Sequence, residues 1–130
     1  MLTFAEKERA CEQAFVENGP FWHLYTDGTM MGDIFCSEED FKLGMTLLAV
    51  CAAVYPQIDL ITFELMSNHV HLVMRGESED CLVFFEIYKR RLKRLYTKMI
   101  RVVDRDSFQP QIIEIETLRA LRNEIIYVNR

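Results

Sequence analysis

The period of the apolar positions changes several times along the chain, and each change marks an element. Thr3-x-x-Glu6 is a capping-box pattern that opens a first helix, expected to end near Asn18-Gly19-Pro20. Phe21 to Thr26 is aromatic and rich in strand formers, which predicts a strand closed by Asp27-Gly28. Ser37-Glu38-Glu39-Asp40 then opens a helix whose apolar positions Phe41, Met45, Leu48, Ala52 and Tyr55 recur at helical spacing and must stop at Pro56. Residues 58 to 65, with Ile61, Phe63 and Leu65 alternating, and 69 to 75 predict a hairpin around a Met66-Ser67-Asn68 corner. A long helix from about Ser78 carries Phe85, Tyr88, Leu92, Leu95 and Met99 as its inward stripe. Residues 108 to 115 predict a last strand at a sheet edge, because Pro110 cannot donate to a ladder. Thr117 caps a terminal helix with Leu118, Leu121, Ile125 and Val128 as its buried stripe.

The core order β, α, β, β, α, β is the ferredoxin-like plan, an α+β fold in which both main helices cover one face of an antiparallel sheet. Terminal helices flank it, and residues 1 to 130 are expected to form a single domain with the second sheet face left free. Alternation on the third strand then points Val70, Leu72 and Met74 toward the helices and puts His69 and His71 on the free face.

Composition narrows the class. Half the residues are hydrophobic, which excludes a disordered chain, and no apolar run approaches the roughly 20 residues that span a bilayer. The start lacks the charge order and apolar centre of a signal peptide, so a cytoplasmic location is expected. Cys11, Cys36, Cys51 and Cys81 form no Cys-x-x-Cys pair and are expected to be reduced core thiols. The net charge of -5 runs against the basic surface that phosphate contacts bring, but its distribution is uneven. The first 88 residues carry 15 acidic side chains against four basic ones, whereas Lys89, Arg90, Arg91, Lys93, Arg94, Lys98, Arg101 and Arg105 face only Asp104. Such a cluster is either a solvated helix face or a nucleic-acid surface confined to one groove.

Candidate chemistry concentrates in Met66-Ser67-Asn68-His69-Val70-His71-Leu72-Val73-Met74. Side chains i and i+2 leave one face of a strand about 6.6 Å apart, so the two imidazoles can converge on one ion. A bare His-x-His is more often incidental than a ligand pair, and Tyr127, about 100° from Val128 around the terminal helix with Asn123, Glu124 and Arg130 as vertical neighbours, is by itself an ordinary amphipathic packing residue.

The run from Met66 to Met74 resembles the histidine motif of the HUH single-tyrosine transposases, the group that includes insertion-sequence transposases and REP-associated tyrosine transposases. There it reads much like "MPNHVHLLL", with Ser67 in place of the proline here. Glu124-Ile125-Ile126-Tyr127-Val128-Asn129-Arg130 resembles the nucleophile helix of the same family, so the likeness runs from about Phe21 to Arg130. It implies a metal-dependent transposase or strand-transferase that cuts and rejoins single-stranded DNA, with Tyr127 attacking a phosphodiester to leave a 5′-phosphotyrosine and a free 3′-hydroxyl. A phenol of pKa about 10 needs help to lose its proton and to approach an anion. The resemblance assigns that help to a divalent Mg or Mn ion held by His69 and His71.

The family commonly adds a polar ligand one turn after the tyrosine, at what would be position 131, so the expectation is a chain truncated at its C-terminus or a ligand lost. Asn129 and Asn123 are substitutes. Two histidines leave several positions of such an ion for water and phosphate oxygens. Behind the ligands, His23 is a second-layer or DNA-contact candidate, and Asn68 a candidate to orient the corner by side-chain hydrogen bonding to the backbone. Lys89, Arg90, Lys93, Arg94 and Lys98 are candidates to track the backbone of single-stranded or hairpin DNA. A homodimer sharing the tyrosine helix is compatible with the resemblance. The competing reading is a non-catalytic module that binds hairpin DNA or RNA on the same fold. A small metal-dependent hydrolase is a third, for which further nearby His or Asp ligands are missing.

Overall fold

In the computed structural model, which describes residues 1–28, 33–98 and 108–129 (the side chains of 97 and 98 aside), the elements run α1 Phe4–Asn18, β1 Phe21–Thr26, α2 Glu38–Val54, β2 Asp59–Leu65, β3 Val70–Arg75, α3 Ser78–Lys98, β4 Pro110–Ile115 and α4 Leu118–Val128. The strands form one antiparallel sheet in the order β2-β3-β1-β4, the ferredoxin-like arrangement expected, with the proline-led β4 at an edge. The helix starts are chemically marked. Thr3 and Ser37 each close a full capping box, with Glu6 and Asp40 reaching back, and the Thr117 side chain accepts from the Ala120 N–H. Among the positions singled out in the sequence, Met99, Arg101, Asp104, Arg105 and Arg130 and the side chain of Lys98 lie outside the described residues.

The main core sits between the sheet and helices α2 and α3. Leu24, Val70, Leu72 and Met74 meet Leu47, Leu48, Cys51, Phe84, Phe85, Tyr88 and Leu92, all buried. Tyrosine hydroxyls in this layer find backbone partners, Tyr88 on Gly44 O at 3.2 Å and Tyr96 on Ile34 O at 2.6 Å. Gly44 lets α2 approach this closely, since a Cβ there would lie 2.6 Å from the Phe35 ring and 2.8 Å from Leu65.

Several expectations are revised. The α2 stripe is rotated from the one read in the sequence: Gly44, Leu47, Leu48 and Cys51 are buried, Phe41, Ala52 and Tyr55 pack only partly, and Met45 is exposed. A bulge between Leu60 and Thr62 moves Ile61 out to solvent, so Leu60, Phe63 and Leu65 share the core side of β2. Cys51 and Cys81 are buried, but Cys11 and Cys36 are exposed thiols. The second sheet face is not free. Helix α4 lies across it, and Leu121 and Val128 form a second core with Phe21, Val73 and Ile115, against which Phe15 of α1, Leu118 and Ile125 also pack. None of the described helices is long and apolar enough to cross a membrane.

Candidate active site

Strand pairing assembles the site. Tyr25 of β1 stands opposite His71 of β3, and His23 stands opposite Val73, so His23, Tyr25 and His71 share the face that α4 crosses. His69, just before β3, continues the same alternation, and its ring meets that of His71 edge to face at 5.1 Å between centroids. On β4, Gln111 pairs with Tyr25 and Ile113 with His23, extending the wall. The leucine and valine anchors of α4 then deliver Tyr127 onto this face. Its ring lies 5.7 Å from His71 and 6.5 Å from His23, at 89° and 67°, and the residue is half exposed at 50%. Tyr25, Thr26, Asp27, Gly28, Asn68, His69, His71, Gln111 and Tyr127 line an open cavity of about 530 Å³.

The hydrogen bonds around the histidines are directional. The Asn68 amide donates through Nδ2 to the Gly28 carbonyl at 3.2 Å, so its Oδ1 faces His69 Nδ1 as an acceptor at 2.7 Å. His69 must therefore carry its proton on Nδ1, which leaves the Nε2 lone pair for another partner. His71 Nδ1 lies 3.0 Å from His23 Nε2, and His23 Nδ1 lies 3.2 Å from Glu124 Oε2. Burial, with the adjacent His23 and His69 rings adding to it, pulls the His71 imidazole down to about 4. Burial lowers His23 as well, partly offset by the Glu124 carboxylate. Neutral imidazole is the form that can bind a metal.

The sequence-derived candidates divide. His69, His71, Tyr127, Asn68 and His23 come together at one place. Asn129 does not join them: its amide exchanges hydrogen bonds with Thr62 on β2 at 2.9 and 3.2 Å. Asn123 is exposed, and its neighbour Glu124 turns toward the histidines instead. Among the described side chains, Lys89, Arg90, Lys93 and Arg94 form no single groove with the histidines, because α3 packs on the opposite face of the sheet. Lys89 is a buried side chain whose ammonium donates to Phe108 O at 3.3 Å and pairs with Glu86 at 3.4 Å, so it cannot present its charge to a phosphate backbone. Arg90 and Arg94 are exposed, with Arg90 paired to Glu86, and Lys93 is half-buried. At the C-terminal end of α3 the Tyr96 hydroxyl donates to Ile34 O, and the Ile34 N–H donates to Ser67 O, next to Asn68.

Tyr25, Gln111 and Glu124 are site residues the sequence reading missed. Tyr25 is two residues from His23 on a strand, and Glu124 is one helical turn before Tyr127, so both followed from the spacing once the register was known.

Neither a protein-family model nor a curated protein matches this chain. Solved structures do. One is described as the REP-associated tyrosine transposase bound to a REP hairpin, which superposes with a TM-score of 0.64 at 8% identity over 85% of this chain and 64% of the other. Another is a putative transposase from Deinococcus radiodurans R1, with a TM-score of 0.53 at 13% identity over 82% of this chain and 88% of that one. The chain thus spans under two thirds of the length of the first. At these identities the likeness is one of backbone: the chain has the fold of the HUH tyrosine transposases.

Proposed function

We propose that the chain is a metal-dependent strand-transferase that cuts and rejoins single-stranded DNA through Tyr127. The observation that carries this reading is the delivery of a half-exposed tyrosine, on a helix anchored by its own small core, to within 5.7 Å of the second histidine of a His-x-His strand. In the reaction, Tyr127 Oη attacks phosphorus, the Oη–P bond forms as the P–O3′ bond breaks, and the 3′-oxygen leaves to take up a proton. The phenolic proton passes to water in the open cavity. The product keeps the phosphate on Tyr127, so a new 3′-hydroxyl can reverse the step on another strand without outside energy.

The residues present fit a divalent ion that takes most of its ligands from water and phosphate. His69 and His71 each have one ring nitrogen committed to a neighbour and line the cavity, so they would hold the ion through the other. Bound there, the ion would supply charge neutralisation and polarisation of a phosphate oxygen. Imidazole donors favour manganese over magnesium at such a site. Asn68 holds the His69 ring in its tautomer, and Tyr25 and Gln111 shape the wall against which a nucleotide would lie.

The neighbour bound to a REP hairpin supports folded single-stranded DNA as the substrate class. Cleavage of an end-labelled hairpin oligonucleotide in the presence of manganese tests the reading. It requires a product with an extendable 3′-hydroxyl and a 5′ end blocked by protein; a free 5′-phosphate would mean hydrolysis. One observation favours a binding module instead: among the described residues no group of three or more His, Cys, Asp or Glu side chains could hold a metal. Tight hairpin binding with no cleavage product would establish that alternative.

A further inference from the structure

Behind His71, on the side away from His69, stands a chain of groups that the transfer reaction itself does not use. Glu124 Oε2 is sealed from water and makes no hydrogen bond among the described residues; it stands 3.2 Å from His23 Nδ1 as an ion-pair contact. His23 is buried at 8% exposure, and its Nε2 meets His71 Nδ1 at 3.0 Å with the rings stacked 5.2 Å apart. We propose that Glu124 and His23 form a relay that fixes the tautomer of His71, so that the Nε2 lone pair of that ring faces the cavity and can accept a divalent cation.

The direction follows from the donor and acceptor inventory. The negative carboxylate 3.2 Å away favours the His23 proton on Nδ1, which leaves a lone pair on His23 Nε2. That lone pair requires a donor, which puts the His71 proton on Nδ1 and leaves His71 Nε2 bare. His69 reaches the same state by a separate route, from the Asn68 carbonyl oxygen. Two independent devices therefore prepare two adjacent imidazoles in the same tautomer, the less common one for a free imidazole in water, with both Nε2 lone pairs left for a shared ligand. Outer-sphere partners of this kind commonly change metal affinity by ten- to a hundredfold. Glu124 and His23 are positioning residues: they act through His71 and touch neither phosphate nor cation.

The relay also links the two halves of the site. Glu124 is three residues before Tyr127 on α4, so the helix that carries the nucleophile also carries the carboxylate that sets the ligand. Displacing α4 would then weaken cation binding and remove the tyrosine together.

This inference rests on the metal reading above, and the test separates the two. The chain has three histidines, so long-range proton–nitrogen NMR of the full-length, metal-free, ¹⁵N-labelled protein resolves each ring. The relay requires His71 protonated on Nδ1 in the wild-type protein. Glu124→Leu should move it toward Nε2–H and weaken Mn²⁺ binding, followed by electron paramagnetic resonance, by about ten- to a hundredfold. Glu124→Gln and His23→Gln, whose carbonyl oxygens can still accept, should restore most of both and guard against a folding defect. An Nε2-protonated His71 in the wild type, or Glu124→Leu with tautomer and Mn²⁺ affinity unchanged, overturns the relay. Wild-type protein that binds no Mn²⁺, or binds it equally well as His71→Ala, overturns the metal reading, and the tautomer measurement still decides the relay.

Discussion

Tyr127 and His71 meet edge to face, ring centroids 5.7 Å apart and planes at 89°, although one belongs to the last helix, α4, and the other to the interior strand β3. What holds them together is the small second core under α4, where Leu121 and Val128 pack on Phe21, Val73 and Ile115. The geometry of the reactive pair is therefore a consequence of apolar burial several ångströms away. It can be perturbed without touching either ring.

Leu121→Ala tests that dependence. Removing a buried leucine from a small core should cost about 2–4 kcal/mol in urea unfolding. Tyr127→Phe keeps the ring and loses only a half-exposed hydroxyl, so it should stay within about 0.5 kcal/mol of the wild type. Equal destabilisation by the two substitutions would contradict the view that α4 is anchored by its leucine and valine stripe.

Stability should depend on pH through His71. Its ordinary value of 6.5 applies in the unfolded chain, against about 4 when folded, where His23, His69, Tyr25, Tyr127 and the cross-strand Glu64 surround it. Between those values the unfolded chain binds the extra proton. The folded state's full margin thus holds above pH 6.5 and is lost as the pH falls toward 4, by on the order of 3 kcal/mol. Urea midpoints measured at pH 7 and at pH 4.5 should differ much less in His71→Phe than in the wild type.

A side chain at Gly28 would run into the Asn68 amide. A Cβ there would lie 2.8 Å from the Asn68 amide, so Gly28→Ala must displace the group that orients His69. Mn²⁺ affinity should fall about tenfold or more while the unfolding transition, governed by the cores, changes little. Unchanged affinity would show that Asn68 does not set the ligand.

The basic helix should separate into a structural and a binding part. Lys89→Ala removes a buried ammonium from Phe108 O and Glu86, which predicts a loss of about 1–3 kcal/mol in stability with no change in the salt dependence of hairpin binding. Arg94→Ala, at an exposed position, should leave stability within about 0.5 kcal/mol and reduce the slope of log affinity against log salt by about one. The reverse pattern would place the nucleic acid elsewhere.

Element boundaries and the histidine face were legible in the sequence because capping residues and period-two alternation are local signals. The ferredoxin-like plan was also legible, from the order β, α, β, β, α, β. The bulge at Ile61 was not legible, because an extra residue in a strand leaves the alternation readable on both sides. Lys89 was misread for a related reason: a long side chain on a basic helix buries its stem or exposes its charge depending on neighbours such as Phe108 that arrive from a distant segment. Glu124 was noticed as a neighbour of Tyr127 but not as a partner of His23. Nothing in its spacing says that α4 crosses the histidine face of the sheet rather than lying beside it.

The most direct test of the central claim is covalent capture. Full-length protein is incubated with Mn²⁺ and a labelled single-stranded hairpin, then run under denaturing conditions beside Tyr127→Phe. The account predicts a denaturant-resistant protein–DNA band from the wild type, with mass spectrometry placing the phosphate on Tyr127, and no band from Tyr127→Phe although that variant still binds the hairpin. An equal band from Tyr127→Phe, or none from wild-type protein that binds both hairpin and Mn²⁺, would contradict it.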